Sequence, residues 1–134
     1  MAVITAQHRP SRSLVVAVHA SIVGLTLATA AIHASLGGLL FTLNAIGYTV
    51  FAVALVLPGP LARARWLVRY GLIGFTTATI LGWVAFGARF DLAYIDKAIE
   101  AALVGLLLIE SWAVDGGPLV VLRRVRRIAA SALG

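Results

Sequence analysis

Four apolar runs, at 14–36, 39–57, 66–87 and 92–114, constrain this chain more than any other feature. A hydrocarbon core of about 30 Å needs roughly 20 helical residues to cross it, and each run is near that length. Turn residues separate the runs: Gly37-Gly38, Pro58-Gly59-Pro60, the stretch from Gly87 to Asp91, and finally Asp115-Gly116-Gly117-Pro118. Proline cannot continue a helical ladder, and glycine clusters mark turns. The pattern predicts an all-α fold, a four-helix transmembrane bundle forming a single domain over 1–134. Composition agrees, with 61% hydrophobic and only 12% charged residues, where soluble domains average about 25% charged.

The basic start, followed by an apolar run and Ala28-Thr29-Ala30, has the outline of a signal peptide. The run is longer than the usual signal core of about 7–15 residues, so a first span is expected instead. Placing the N-terminus inside puts Arg9, Arg12, Arg63, Arg65, Arg69, Arg123, Arg124, Arg126 and Arg127 on the inner side. Only Arg89 and Lys97 remain outside. Inner loops of membrane proteins carry the excess of Lys and Arg, so both termini are expected in the cytoplasm, across a bacterial inner membrane. Trp66 and Trp112 then fall at the inner interface, Trp83 and Tyr94 near the outer one. The net charge of +6 is explained by this asymmetry and by anionic headgroups as partners, without nucleic acid.

Residues 119–133 complete the chain. At 100° per residue, Val121, Leu122, Val125, Ile128, Ala129 and Ala132 share one face and Arg123, Arg124, Arg126 and Arg127 the other. Such a helix lies in the interface, with its arginines on the membrane surface. Small-residue stripes, Ala20/Gly24/Ala28 and Gly74/Ala78/Gly82, predict close packing between spans.

Charge inside the spans is the second signal. The fourth run carries Asp96, Lys97, Glu100 and Glu110, and ionisable groups in a bilayer are expensive enough to mark function by default. By depth, His33, Asn44, Asp96, Lys97 and Glu100 form an outer polar layer. His19 and Glu110 form an inner one. Antiparallel spans one and four would set His33 against Asp96 or Glu100, and His19 against Glu110. The bland alternative is that Lys97 neutralises Glu100 at i,i+3 while Lys97 and Asp96 snorkel to the outer headgroups. Glu100, about two turns deep, is harder to explain that way. Glu110 is expected to pair with an arginine at the inner interface. Thr76, Thr77 and Thr79 are expected to bond their own helix backbone.

Chemistry is otherwise sparse. The chain has no cysteine, which removes disulfides and thiolate metal sites. It has no catalytic or nucleotide-binding motif of the common kinds, so no catalytic residue and no metal site are assigned. His19 and His33 are fourteen residues apart, about 21 Å along a helix, a spacing comparable to that of b-type cytochromes. Haem b ligation by these histidines would need ligands from another subunit.

The stretches LLFTLNAIGYTVFAVALVLP, RWLVRYGLIGFTTATILGWVAFG and AYIDKAIEAALVGLLLIE resemble a group of small four-span bacterial membrane proteins. These occur in actinobacteria and green non-sulfur-type bacteria (Chloroflexi) and have no assigned activity. The resemblance covers about residues 30–112 and rests on Asn44 within LFTLNAIGY and on Tyr94, Asp96, Lys97 and Glu100 within AYIDKAIE. It implies a four-helix membrane protein and transfers no catalytic role. The expected function is a non-enzymatic accessory subunit, packed against other membrane subunits or against itself. The alternatives are a small proton or ion conductor or polar-ligand binder using the outer layer, and a haem b electron-transfer subunit.

Overall fold

A computed structural model describes residues 10–133; Arg9, counted above among the inner arginines, lies outside the described residues. Among those residues the chain is helical throughout, with short turns. The helices are α1 Arg12–Leu36, α2 Leu39–Val56, α3 Pro60–Arg63, α4 Arg65–Phe86, α5 Asp91–Asp115 and α6 Pro118–Leu133. Local chemistry sets their limits. Ser11 caps α1 by accepting from the Leu14 amide, satisfying one of the orphan donors of a helix start. Gly37 and Gly38, at φ 69° and 86°, turn the chain from α1 to α2, and Gly116 and Gly117, at 82° and 93°, do so between α5 and α6. These backbone angles suit glycine because it has no Cβ. Pro60 opens α3, a single turn in what reads as a plain loop. Proline's fixed φ preorganises a first helical turn.

α1, α2 and α4 are long and apolar enough to cross a membrane. α5 equals α1 in length, but Asp96, Lys97, Glu100 and Glu110 interrupt its apolar run. α1 packs on α2 and α5, and α4 packs on α5 and α2. One end of this arrangement carries the α1–α2 and α4–α5 turns; the other carries α3, α6 and most of the arginines.

The distribution of polarity is inverted relative to a soluble domain. His33, Arg69, Asp96, Glu100 and Glu110 are buried, while Leu40, Ile46, Val50 and Leu81 stand exposed. Between the ends lies an apolar layer of Ile22, Leu55, Leu72, Leu103 and Leu107. α2 and α4 interlock by a reciprocal device. The Phe75 ring of α4 lies against Gly47 of α2, and the Phe51 ring of α2 against Gly71 of α4. Phe51 and Tyr48 pack on Phe75 in turn, with centroids 5.6 Å and 4.9 Å away.

The small-residue stripes have a different role from the one expected. A Cβ on Gly24, Gly74 or Gly82 would meet nothing within 4 Å. Instead of drawing helices together, Ala78 and Gly82 help open a cavity at the turn end, and Ala20 lines another at the arginine end.

A Cβ on Gly47 would lie 2.6 Å from Phe75 Cζ, and the rings packed on Phe75 block its retreat. Gly47→Val is expected to lose about 1–3 kcal/mol in reversible unfolding from detergent, the usual cost of overpacking. Gly24→Ala, in open space, is expected to be neutral or stabilising by about 0.5–1 kcal/mol.

Candidate functional site

At the turn end, Thr29 and His33 of α1, Tyr48 of α2, Thr79 of α4, and Asp96, Lys97 and Glu100 of α5 form one hydrogen-bonded cluster. Helical spacing explains the membership. Thr29 is one turn before His33, and Asp96 one turn before Glu100, so each pair shares a face. Glu100 is completely buried and Asp96 is 2% exposed.

Each carboxylate oxygen finds a hydrogen. The Thr29 hydroxyl donates to Asp96 Oδ1 at 2.7 Å, and the Tyr48 hydroxyl to Glu100 Oε1 at 2.8 Å. Lys97 Nζ donates to Asp96 Oδ2 at 3.0 Å and to Glu100 Oε2 at 2.7 Å. Bonds to charged partners contribute about 1.5–3 kcal/mol, and losing one partner exposes the other to the full desolvation penalty. His33 completes the set. Its Nδ1 lies 2.9 Å from the Thr29 carbonyl, which can only accept, so Nδ1 carries a hydrogen. Nδ1 is also 3.7 Å from Asp96 and Nε2 is 3.9 Å from Glu100. The cluster is electroneutral when the imidazole carries both its protons.

Several sequence expectations take a definite form here. His33 does lie against Asp96 and Glu100. Lys97 does neutralise Glu100 at i,i+3, but neither it nor Asp96 snorkels outward. With two buried carboxylates within reach, the ammonium turns inward. Asn44 is half-buried, with no hydrogen bond to the cluster among the described residues, and lines the adjoining cavity. Thr79 donates to the Thr76 carbonyl of its own helix and lies 3.0 Å from the Tyr48 hydroxyl. Thr76 departs from expectation, since its Oγ1 is buried without a partner. Thr77 is exposed. Tyr48 and Thr29 were not singled out from the sequence.

His33, Asp96 and Glu100 present three ligand atoms within 4.8 Å of one another, a spacing that suits a cation. Lys97 already occupies that role, with its ammonium on both carboxylates. The His33 ring packs on Phe41 and Tyr48, and its Nε2 faces Glu100.

A cavity of about 480 Å³ opens above the cluster. His33, Asn44, Thr79, Asp96 and Lys97 form its polar side; Phe41, Phe75, Trp83, Phe86 and Phe90 contribute aromatic walls. Trp83 is held by its Nε1 donating to the Ala88 carbonyl, by Tyr94 packed edge-on, and by Arg89 stacked 4.1 Å above its ring. Pockets of this size, mostly apolar with a few convergent polar groups, are what small molecules occupy.

A second cluster lies at the arginine end. Arg69 is 2% exposed and bridges two carboxylates of α5, Nε donating to Glu110 Oε2 at 2.8 Å and Nη1 to Asp115. His19 Nδ1 is 2.6 Å from Glu110 Oε1. Tyr70 and Ser111 hydrogen-bond beside them. The apolar layer separates the two clusters: along α5, the buried residues between Glu100 and Glu110 are Leu103 and Leu107.

No family model, curated protein or solved structure matches this chain.

Arg69→Gln takes the guanidinium from Asp115 and leaves the buried Glu110 with His19 alone. Breaking a buried ion pair on one side costs about 3–5 kcal/mol, to be read as a loss of unfolding free energy in detergent. Arg69→Lys is expected to recover only part of it, because an ammonium lacks the fork that spans Glu110 and Asp115.

Proposed function

We propose that this chain is a four-helix transmembrane protein that binds a small ring-bearing amphiphile in its outer half. α5 is read as the fourth span, its charges tolerated because they face the interior. The positive-inside asymmetry puts the arginine end at the cytoplasmic face of a bacterial inner membrane, with both termini on that side and the turn end outside. α6 then lies along the cytoplasmic interface. Its Leu122, Val125 and Ile128 are exposed in the protein and take lipid as their cover, and Arg123, Arg126 and Arg127 meet anionic headgroups.

One observation carries the ligand reading. A buried cluster of charge and hydrogen-bonding groups forms one side of an aromatic-walled cavity of about 480 Å³ at the outer interface. Lys97 has a third hydrogen beyond the two used by Asp96 and Glu100. The Asn44 amide supplies both donor and acceptor. A hydroxyl or carbonyl head meets these groups, and the ring lies among Phe75, Trp83 and Phe86. The role is non-catalytic. The apolar layer of Ile22, Leu72, Leu103 and Leu107 counts against conduction, because charge crossing it would lose every partner.

Calorimetric titration of the solubilised protein with 1-naphthol and with naphthalene tests the reading. Naphthol is expected to bind about fivefold more tightly, the worth of roughly one net hydrogen bond. Gly82→Leu, which fills the cavity, is expected to abolish both, and Lys97→Met only the difference between them. Absence of binding, or indifference to Gly82→Leu, would sink the proposal.

A second reading, accessory subunit or homo-oligomer, is favoured by the face of α1 where Ala20 and Gly24 are exposed and Gly24 has open space around it. Such a face admits another helix at close range. Extraction at native abundance in mild detergent is expected to recover a larger particle that Gly24→Leu dissociates. A lone monomer from the unaltered protein would exclude it.

A further inference from the structure

We infer that the cavity at the arginine end is a site for a phosphate-bearing amphiphile, inserted between helices at the cytoplasmic interface. The cavity holds about 710 Å³. Four arginines line it, Arg63, Arg65, Arg69 and Arg124, against two carboxylates, Glu110 and Asp115. Arg69 takes both carboxylates. Among the described residues, Arg63, Arg65 and Arg124 have no carboxylate within salt-bridge distance. Arg65 Nε is buried without a partner, while its Nη2 reaches the Leu57 carbonyl at 3.3 Å. Arg124 stacks 5.4 Å above Trp66.

Three guanidinium groups, drawn from the α3–α4 segment and from α6, therefore share one concave space with a net positive charge. Guanidinium matches phosphate by its planar fork of donors, and basic pockets between spans on the cytoplasmic side suit anionic headgroups. The rest of the lining decides for an amphiphile. Val15, Val16 and Val23 of α1, with Val56 of α2, give the cavity an apolar side. That side continues along the outward surface of α1, where an acyl chain would run. The inference rests on the transmembrane reading but not on the ligand proposed for the other cavity.

The test uses the full chain with Trp83→Phe and Trp112→Phe, so that Trp66 alone reports. Vesicles of phosphatidylcholine contain a few mole per cent of either brominated phosphatidylglycerol or brominated phosphatidylcholine. Flotation first establishes insertion, so failure of the transmembrane reading is seen separately. Preferential quenching of Trp66 by the brominated phosphatidylglycerol is expected. Each of Arg63→Gln, Arg65→Gln and Arg124→Gln is expected to weaken that preference about fivefold. The control Arg123→Gln/Arg126→Gln/Arg127→Gln removes three charges from α6, where each test variant removes one, and should leave most of it. Inorganic phosphate in the buffer separates the two sources of the anion. Undiminished preference supports a lipid phosphate, and competition at millimolar concentration supports a free one. Equal quenching by both lipids with no effect of phosphate overturns the inference. So does equal loss in the control triple variant, which would reduce the effect to surface charge.

Discussion

The structure depends on how one carboxylate is kept inside an apolar assembly. Glu100 is wholly buried, and an uncompensated ion there would be intolerable. Its two oxygens are answered from different helices, Tyr48 on α2 for one and Lys97 on α5 for the other. Asp96 is tied to α1 through Thr29. The satisfaction of α5 thus requires α1 and α2 to sit where they do. Apolar contacts between helices in lipid discriminate poorly, since lipid tails are as apolar as leucine. The polar cluster can set helix order and register, a role buried polar groups fill in some other systems.

The two clusters divide this work. The one at the turn end joins α1, α2 and α5, with Thr79 of α4 reaching Tyr48. The one at the arginine end joins α1, α4 and α5 through His19, Arg69 and Glu110. Between them the buried residues are mainly apolar, Ile22, Leu72, Leu103 and Leu107, with the hydroxyls of Thr26 and Thr76 among them. The polar interior gathers toward the ends of the helices, each cluster beside a cavity, and the middle serves cohesion.

Much of this was legible in the chain. Helix limits follow from glycine and proline pairs, which act locally, and observed and expected boundaries differ by one or two residues. The pairings of His33 and His19 with α5 followed from depth alone, since antiparallel helices place equal depths together. Tyr48 and Thr29 were missed because a lone tyrosine or threonine in a span is unremarkable. The available signal was spacing, for Thr29 is four before His33 and Tyr48 four after Asn44. Arg69 was counted for topology when its larger role is to bridge Glu110 and Asp115. The stripes of small residues stay open within the chain for a different reason. A stripe gives the shape of one helix surface, and whether a partner fills it depends on the splay of its neighbours, which no single helix encodes.

The inward turn of Lys97 bears on how the protein is made. Taken alone, α5 is a poor candidate for entry into a bilayer, since Asp and Lys each oppose insertion at a helix centre by about 2.5–3.5 kcal/mol while each leucine returns less than 1. Lys97 answers one oxygen each of Asp96 and Glu100 within α5, but their other oxygens and Glu110 are answered only beside α1, α2 and α4. On the transmembrane reading, the last span enters the membrane as a consequence of tertiary assembly. The three apolar helices act as the template, and Arg69 of α4 in turn gains its carboxylate partners only when α5 joins them.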